Sequence, residues 1–269
     1  MKSSLISLLL IFFWLFPDSI EAKKPNVFVL CTWNIGHFSN GSKHYSLIRI
    51  DDFQEQLGLY RSFVYKDLCP DVIVLNEYNR VFCGVDEDSN DYVTSSLLFD
   101  NFKNSVIGTQ INFICNAVFS NVKMKKPRFV FFESQKSTEG DDEIKSKENY
   151  FIETDLYIHG KIVKLVCLHL LFSLKVEELY QRKQMEELIN RYEKTDRVIM
   201  CGDWNTGIYS SLKDAGYILA NNSSLKTFPS KGYPLDNIVV KGLSISEVKM
   251  IKTNLSDHYP LICKIILND

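Results

Sequence analysis

The strongest constraint on the fold is a recurring pattern. Short apolar runs each stop at an Asn, Asp, Glu or His. NVFVLCTW (26–33) leads into Asn34, DVIVLN (71–76) into Glu77, and KIVKLVCL (161–168) into His169. RVIMCG (197–202) leads into Asp203 and Asn205. Asp236 opens most of LDNIVV (235–240), and Ser256-Asp257-His258 precedes YPLICKIIL (259–267). Runs this short and this rich in Val, Ile and Leu fit buried strands. One strand that ends in a polar group simply meets solvent. Several endings of one chemistry imply that the strand ends converge.

Further strands are expected at Asn116–Ser120 and Ser244–Met250. Ile152–Ile158 alternates apolar and polar residues, as a half-buried strand would. Two segments have helical spacing. Ile50–Leu68 stops before Cys69-Pro70, where proline ends a helix. Leu174–Lys194 places Met185, Leu188, Ile189 and Tyr192 on one face. Lys136–Asn149 is polar and reads as an exposed loop. Many strands with few helices predict a layered α/β or α+β domain. No repeat or linker divides it, so residues 23–269 are expected to form one domain.

Composition narrows the function classes. The chain is 45% hydrophobic and 24% charged, with a net charge of -2 and a pI near 6.2. No global basic field marks a nucleic-acid scaffold, although a nuclease needs only local positive charge. The seven cysteines show no CxxC or zinc-ligand spacing, and most lie in apolar runs as small buried hydrophobes. At the N-terminus, Lys2 precedes the apolar run Leu5–Phe16; Pro17 breaks it and Ala22 follows. This is the order of a secretory signal peptide over residues 1–22. The expected location is therefore periplasmic or extracellular.

The strand-end residues make a coherent chemical set. Asp and Glu without Cys favour a hard cation, Mg²⁺, Mn²⁺ or Ca²⁺. Two histidines add proton transfer or phosphate binding. Asn orients an anion without changing the charge. Phosphoryl chemistry uses this mixture. Taken singly, each residue has a plainer reading. Asn34 can cap a turn before Gly36, Asp203 and Asn205 can form an Asx turn, and His169 can be a hydrogen-bonded core histidine.

TWNIG (32–36), LNEYN (75–79), CLHL (167–170), GDWNT (202–206), LDNIVV and SDHYP (256–260) resemble, in order, the motifs of the endonuclease/exonuclease/phosphatase superfamily. Thr227-Phe228 resembles its Thr–Phe lead into the penultimate motif. The match runs from about residue 26 to 267, and the exported form resembles secreted bacterial members of Bacteroidetes type. The resemblance implies a DNase I-like, four-layered α/β sandwich, with two packed sheets flanked by helices. It implies Glu77 as principal metal ligand, helped by Asn34 and Asp257. It implies Asp203 for the attacking water and Asn205 for the phosphate. His258 would contact phosphate or act as base, with Asp236 fixing its tautomer, and His169 would be the second histidine. The resemblance leaves the identity of the base open.

Three further residues, His37, His44 and Arg80, lie near these motifs and are weaker substrate contacts. Arg80 sits farther from Glu77 than the arginine of DNase I-like nucleases. KMKKPR (123–128) is a basic run that reads as a solvated turn or as a track for a polyanion. The expected activity is an exported, metal-dependent phosphodiesterase on a phosphate-ester substrate, with nuclease favoured and a monomeric chain. Rival readings are a phospholipase C or sphingomyelinase-like enzyme, an inositol or sugar-phosphate phosphatase, and a non-catalytic binding protein. No extended apolar hairpin suited to a bilayer is evident. The expected decay of site residues in a binding protein is not seen either.

Overall fold

The computed structural model describes residues 26–38, 50–78, 81–83, 92–94, 99–108, 115–133, 149–171 and 177–268. The signal-peptide expectation, His44, Arg80 and nearly all of the polar 136–149 stretch fall outside the described residues. The strands in chain order are β1 (Val27–Asn34), β2 (Val72–Tyr78), β3 (Val81–Cys83), β4 (Tyr92–Thr94), β5 (Asn104–Ile107), β6 (Cys115–Ser120) and β7 (Lys123–Phe131). They continue as β8 (Tyr150–Ile158), β9 (Lys161–His169), β10 (Val198–Asp203), β11 (Ile218–Leu219), β12 (Asp236–Lys241), β13 (Ser244–Met250) and β14 (Leu261–Ile266). The helices are α1 (Ile50–Ser62), α2 (Glu177–Arg191) and α3 (Ser210–Asp214).

Two six-stranded sheets form the body, in the orders β13-β14-β1-β2-β6-β5 and β11-β12-β10-β9-β8-β7. β3 and β4 make a separate antiparallel pair. Alternate side chains on each strand split between two apolar layers. Leu30, Val72 and Val74 from the first sheet meet Leu165, Cys167, Ile199 and Ile238 from the second in the central core. Their neighbours Cys31, Trp33, Ile73 and Leu75 face outward onto Leu57 and Tyr60 of α1. On the far side, Val166, Leu168, Val198 and Met200 pack on Met185 and Leu188 of α2 and Leu212 of α3. The order of layers is helix, sheet, sheet, helix, which is the expected DNase I-like sandwich.

Each sheet holds one parallel pair near its middle. β1 runs parallel to β2, with Asn34 opposite Asn76. β9 runs parallel to β10, with His169 opposite Asp203. Parallel strands end on the same side, so both pairs deliver their polar C-terminal residues to one end of the sandwich.

Three expectations change. β8 is not half-buried: Glu153, Thr154 and Asp155 are buried with the apolar residues around them. Its acids point outward but are neutralised by cations. Glu153 accepts from Arg128, Lys164, Arg191 and the Tyr192 hydroxyl, and Lys164 Nζ lies 2.5 Å from Asp155. KMKKPR is not a turn but the first part of the edge strand β7. The first helix also stops short. After Ser62 the chain winds through a wider π-type turn, Phe63–Leu68. Cys69, in the left-handed region, closes it by donating its N–H to Val64 O at 2.9 Å.

Candidate active site at the strand ends

The site is built where the sheets' parallel pairs end side by side. Asn34, last residue of β1, is buried and spans both sheets. Its Nδ2 donates to Glu77 Oε1 at 3.1 Å and to Asp203 Oδ2 at 3.0 Å. Its Oδ1 accepts from the Gly36 N–H at 3.1 Å, which turns the chain away after β1. The plain turn-capping reading and the site reading of Asn34 are therefore both realised by one side chain.

Asp203 is the centre. Its carboxylate is buried and holds Asn34 on one side, with His169 Nε2 at 3.7 Å and His258 Nε2 at 3.8 Å from the same oxygen. Its other oxygen accepts from the Asn205 N–H at 2.8 Å, an Asx turn that puts Asn205 at φ 51. Burial pushes the Asp203 carboxyl above its ordinary range, and the charge of Asp236 adds to this; the two imidazoles and the Asn34 amide oppose it. Asn205 is half-buried and donates Nδ2 to Leu170 O at 2.8 Å, which leaves its second amide hydrogen for the site. Trp204, between them, points into the outer core and donates its indole N–H to Asn237 O at 3.3 Å.

Asp203 can reach this position because Gly202 precedes it. Gly202 has φ 144, and a Cβ there would lie 1.8 Å from Leu168 O. Only glycine allows β10 to approach β9 so closely.

His258 is held from several directions. Its Nδ1 lies 2.8 Å from Asp236 Oδ2, its backbone carbonyl accepts the Trp33 indole N–H, and the Phe228 ring lies 4.7 Å from its own. Asp236 is in turn set by Thr227, whose Oγ1 accepts the Asp236 N–H at 3.0 Å. Burial disfavours the charged imidazole, but Asp236, Asp203 and Asp257 outweigh it and raise His258 to about 10. Ser256 ties this loop to β1 by donating to Asn34 O at 2.8 Å and accepting the His258 N–H at 3.1 Å. Asp257 is exposed beside it.

Asn34, Glu77, His169, Asp203, Asn205, Asp236, Asp257 and His258 are therefore gathered at one end. His37 lies in the short turn Gly36–Phe38 directly after Asn34, and its side chain lies outside the description. Sequence reading missed Asn76. It is fully buried, accepts the Asp203 N–H at 2.8 Å, and donates to Asn116 Oδ1 at 2.7 Å and Leu168 O at 2.8 Å. Its signal was an amide in the last buried position of an apolar run, one residue before Glu77.

The site fits a hard divalent cation. Asp203, Asp236 and His258 offer ligand atoms within 4.8 Å of one another, without a thiol. The short Asp236–His258 contact engages two of these three as a hydrogen bond, so the carboxylate better placed for an ion is Glu77. It is half-buried, sits beside Asn34, and adopts φ 50 where β2 shifts register against β6 between Leu75 and Tyr78.

No family model matches the chain. A UPF0294 protein of Vibrio vulnificus strain YJ016 is 29% identical over 117 residues, covering 40% of this chain and 41% of that protein. Solved structures match far more of it. An endonuclease/exonuclease/phosphatase protein from Beutenbergia cavernae is similar with TM-score 0.64 and 15% identity, over 90% of this chain and 72% of that one. The human nocturnin catalytic domain with bound sulfate gives TM-score 0.64 and 15% identity, over 91% of this chain and 94% of that one. D. rerio TDP2 complexed with single strand DNA product gives TM-score 0.57 and 15% identity, over 89% of this chain and 98% of that one. The layered architecture agrees, and the chain has the fold of the endonuclease/exonuclease/phosphatase superfamily.

Proposed function

We propose that the protein is a divalent-metal-dependent hydrolase of phosphodiester bonds, with nucleic acid as its substrate. The observation that carries this reading is one buried carboxylate, Asp203, facing two imidazoles and a bridging asparagine amide. Asp203 orients the attacking water and takes its proton as the new P–O bond forms. His258, fixed through Nδ1 by Asp236, presents Nε2 to the phosphoryl oxygens. The free amide hydrogen of Asn205 holds the same group. His169, half-buried at the mouth, donates a proton to the departing oxygen as its bond to phosphorus breaks.

Glu77 would hold the metal, with Asp257 nearby and the Asn34 amide N–H fixing the Glu77 carboxylate. When bound, a Mg²⁺ or Mn²⁺ ion would supply charge neutralisation at the phosphoryl group. Nucleic acid is favoured by likeness to TDP2, whose structure was solved with a single strand DNA product. The apolar run before residue 22 supports export to the periplasm or medium. A secreted product retaining residues 1–22 would contradict that part.

The test is a substrate panel of plasmid DNA, RNA, sphingomyelin and inositol phosphates, with Mg²⁺, Mn²⁺ or EDTA. The reading expects nucleic-acid cleavage that EDTA abolishes and that His258→Ala lowers at least about a hundredfold. Turnover confined to sphingomyelin or inositol phosphates would replace the substrate. Undiminished activity in EDTA would overturn the metal requirement.

A further inference from the structure

We propose that β7 is a docking strand for single-stranded nucleic acid and guides it toward the strand-end site; this rests on the phosphodiesterase reading above. Among the described residues, β7 is the edge of the second sheet, and it is exposed along most of its length. Register places its residues on two faces. Lys123, Lys125 and Arg128 lie opposite Tyr157, Asp155 and Glu153, on the outer face of the sheet. Phe129 and Phe131 lie opposite Ile152 and Tyr150, on the other face. A bulge at Lys126-Pro127, with Lys126 at φ 53, supplies the extra residue between these sets.

The result is a strand with the exposed Lys123 and Lys125 along one side, beside an Arg128 already paired with Glu153, and aromatic rings along the other. A single-stranded nucleic acid has the same division, phosphates on one side and bases on the other. Phe129 and Phe131 are 41% and 38% exposed, so each offers one open side while the rest is packed. Both rest on the buried Tyr150, at centroid distances of 6.0 and 5.8 Å. Two residues along a strand separate them by about 6.6 Å. That is about twice the 3.4 Å rise of a stacked strand, so each ring can take a base without crowding the next.

Protection of a sheet edge accounts for the lysines, the proline and the bulge. It does not account for two exposed phenylalanines on the same edge, which would invite the pairing that the lysines prevent. A bilayer is a poorer occupant. These rings lie along a strand against Tyr150 and do not project from a loop tip.

The strand also points the right way. The C-terminal end of β7 lies beside Tyr150 at the start of β8, next to the end of β9 that carries His169. The Asn116 side chain donates to Tyr150 O and accepts from Asn76, which in turn accepts the Asp203 N–H. Phe131 is therefore the end of the strand nearer to the site.

The test uses the full protein in EDTA, a fluorescein-labelled oligodeoxythymidylate and anisotropy, with hydrolysis of bis(p-nitrophenyl) phosphate measured separately. The Phe129→Ala/Phe131→Ala double variant should weaken oligonucleotide binding at least about tenfold. It should leave hydrolysis of the small diester unchanged, and Phe129→Trp should retain binding. The Lys123→Gln/Lys125→Gln/Lys126→Gln variant should reduce the slope of log binding constant against log salt by about 2. Unchanged oligonucleotide binding in the folded phenylalanine variant overturns the proposal. So does a loss confined to phosphatidylcholine/phosphatidylserine vesicles. If the parent protein fails to hydrolyse the small diester with Mg²⁺ or Mn²⁺, the catalytic reading fails while the binding result still stands on its own.

Discussion

Replacing Asn76 by alanine should disable the site without touching any residue assigned to the chemistry. Asn76 is fully buried between the two sheets. Its amide closes three hydrogen bonds, from the Asp203 N–H at 2.8 Å, to Asn116 Oδ1 at 2.7 Å and to Leu168 O at 2.8 Å. Each is worth about 1 kcal/mol net, and the donor and acceptors left behind are buried. Adding the small cavity, the loss of stability should be about 3–4 kcal/mol. That is a large share of the 5–15 kcal/mol typical of a whole domain. Urea unfolding followed by tryptophan fluorescence measures it. Asn76→Asp separates position from packing. It keeps an acceptor for the Asp203 N–H but loses both donors and sets a negative charge behind Asp203. In both variants kcat should fall more than KM rises, because Asp203 loses its anchor. A cost below about 1 kcal/mol for Asn76→Ala, with full activity, would refute the claim that this amide locks the sheets at the site.

Two other predictions concern the frame around it. Gly202→Ala forces a Cβ against Leu168 O, 1.8 Å away, at φ 144, so it should cost about 3 kcal/mol or more and lower soluble yield; a variant with parental urea midpoint would contradict the close β9–β10 approach. Burial works against the Glu153 charge, but bonds from Tyr192 and Arg128 and the charge of Lys164 lower its carboxyl to about 2. Its folded value lies below its unfolded one, so its contribution is complete above about pH 5 and fades as pH falls toward 2, a loss on the order of 2–3 kcal/mol. Glu153→Gln should therefore lose less stability than the parent between pH 7 and pH 3, and equal acid slopes would count against the cluster.

The residues that carried most of the fold were legible because burial leaves a strong mark. β1, β2, β9, β10 and β12 are covered on both faces, so they read as continuous apolar runs. Their polar ends read as a site because parallel pairing sends Asn34, Glu77, His169 and Asp203 to one end. β7 escaped because an edge strand need not be apolar, and KMKKPR has the composition of a turn. β8 reads as half-buried in sequence because Glu153 and Asp155 look like solvent-facing residues. The cations that permit their burial come from β7, β9 and α2, and no local window of sequence contains them together. Asn76 and Asn116 were silent for a related reason. Their partners are across the sandwich, and a single amide in an apolar run does not announce which sheet it ties. Phe228, adjacent to a motif residue, acquires a role only when folding places its ring against His258.

A phosphodiesterase centre organised around Asp203 needs that carboxylate for turnover. The decisive measurement is the rate of Mg²⁺- or Mn²⁺-supported hydrolysis of bis(p-nitrophenyl) phosphate in the parent and in Asp203→Asn. The substitution keeps the side chain's shape and removes its charge and basicity. The rate should fall at least about a hundredfold, with the protein still folded by circular dichroism. A folded Asp203→Asn protein that turns over the diester at the parental rate would contradict a centre organised around Asp203.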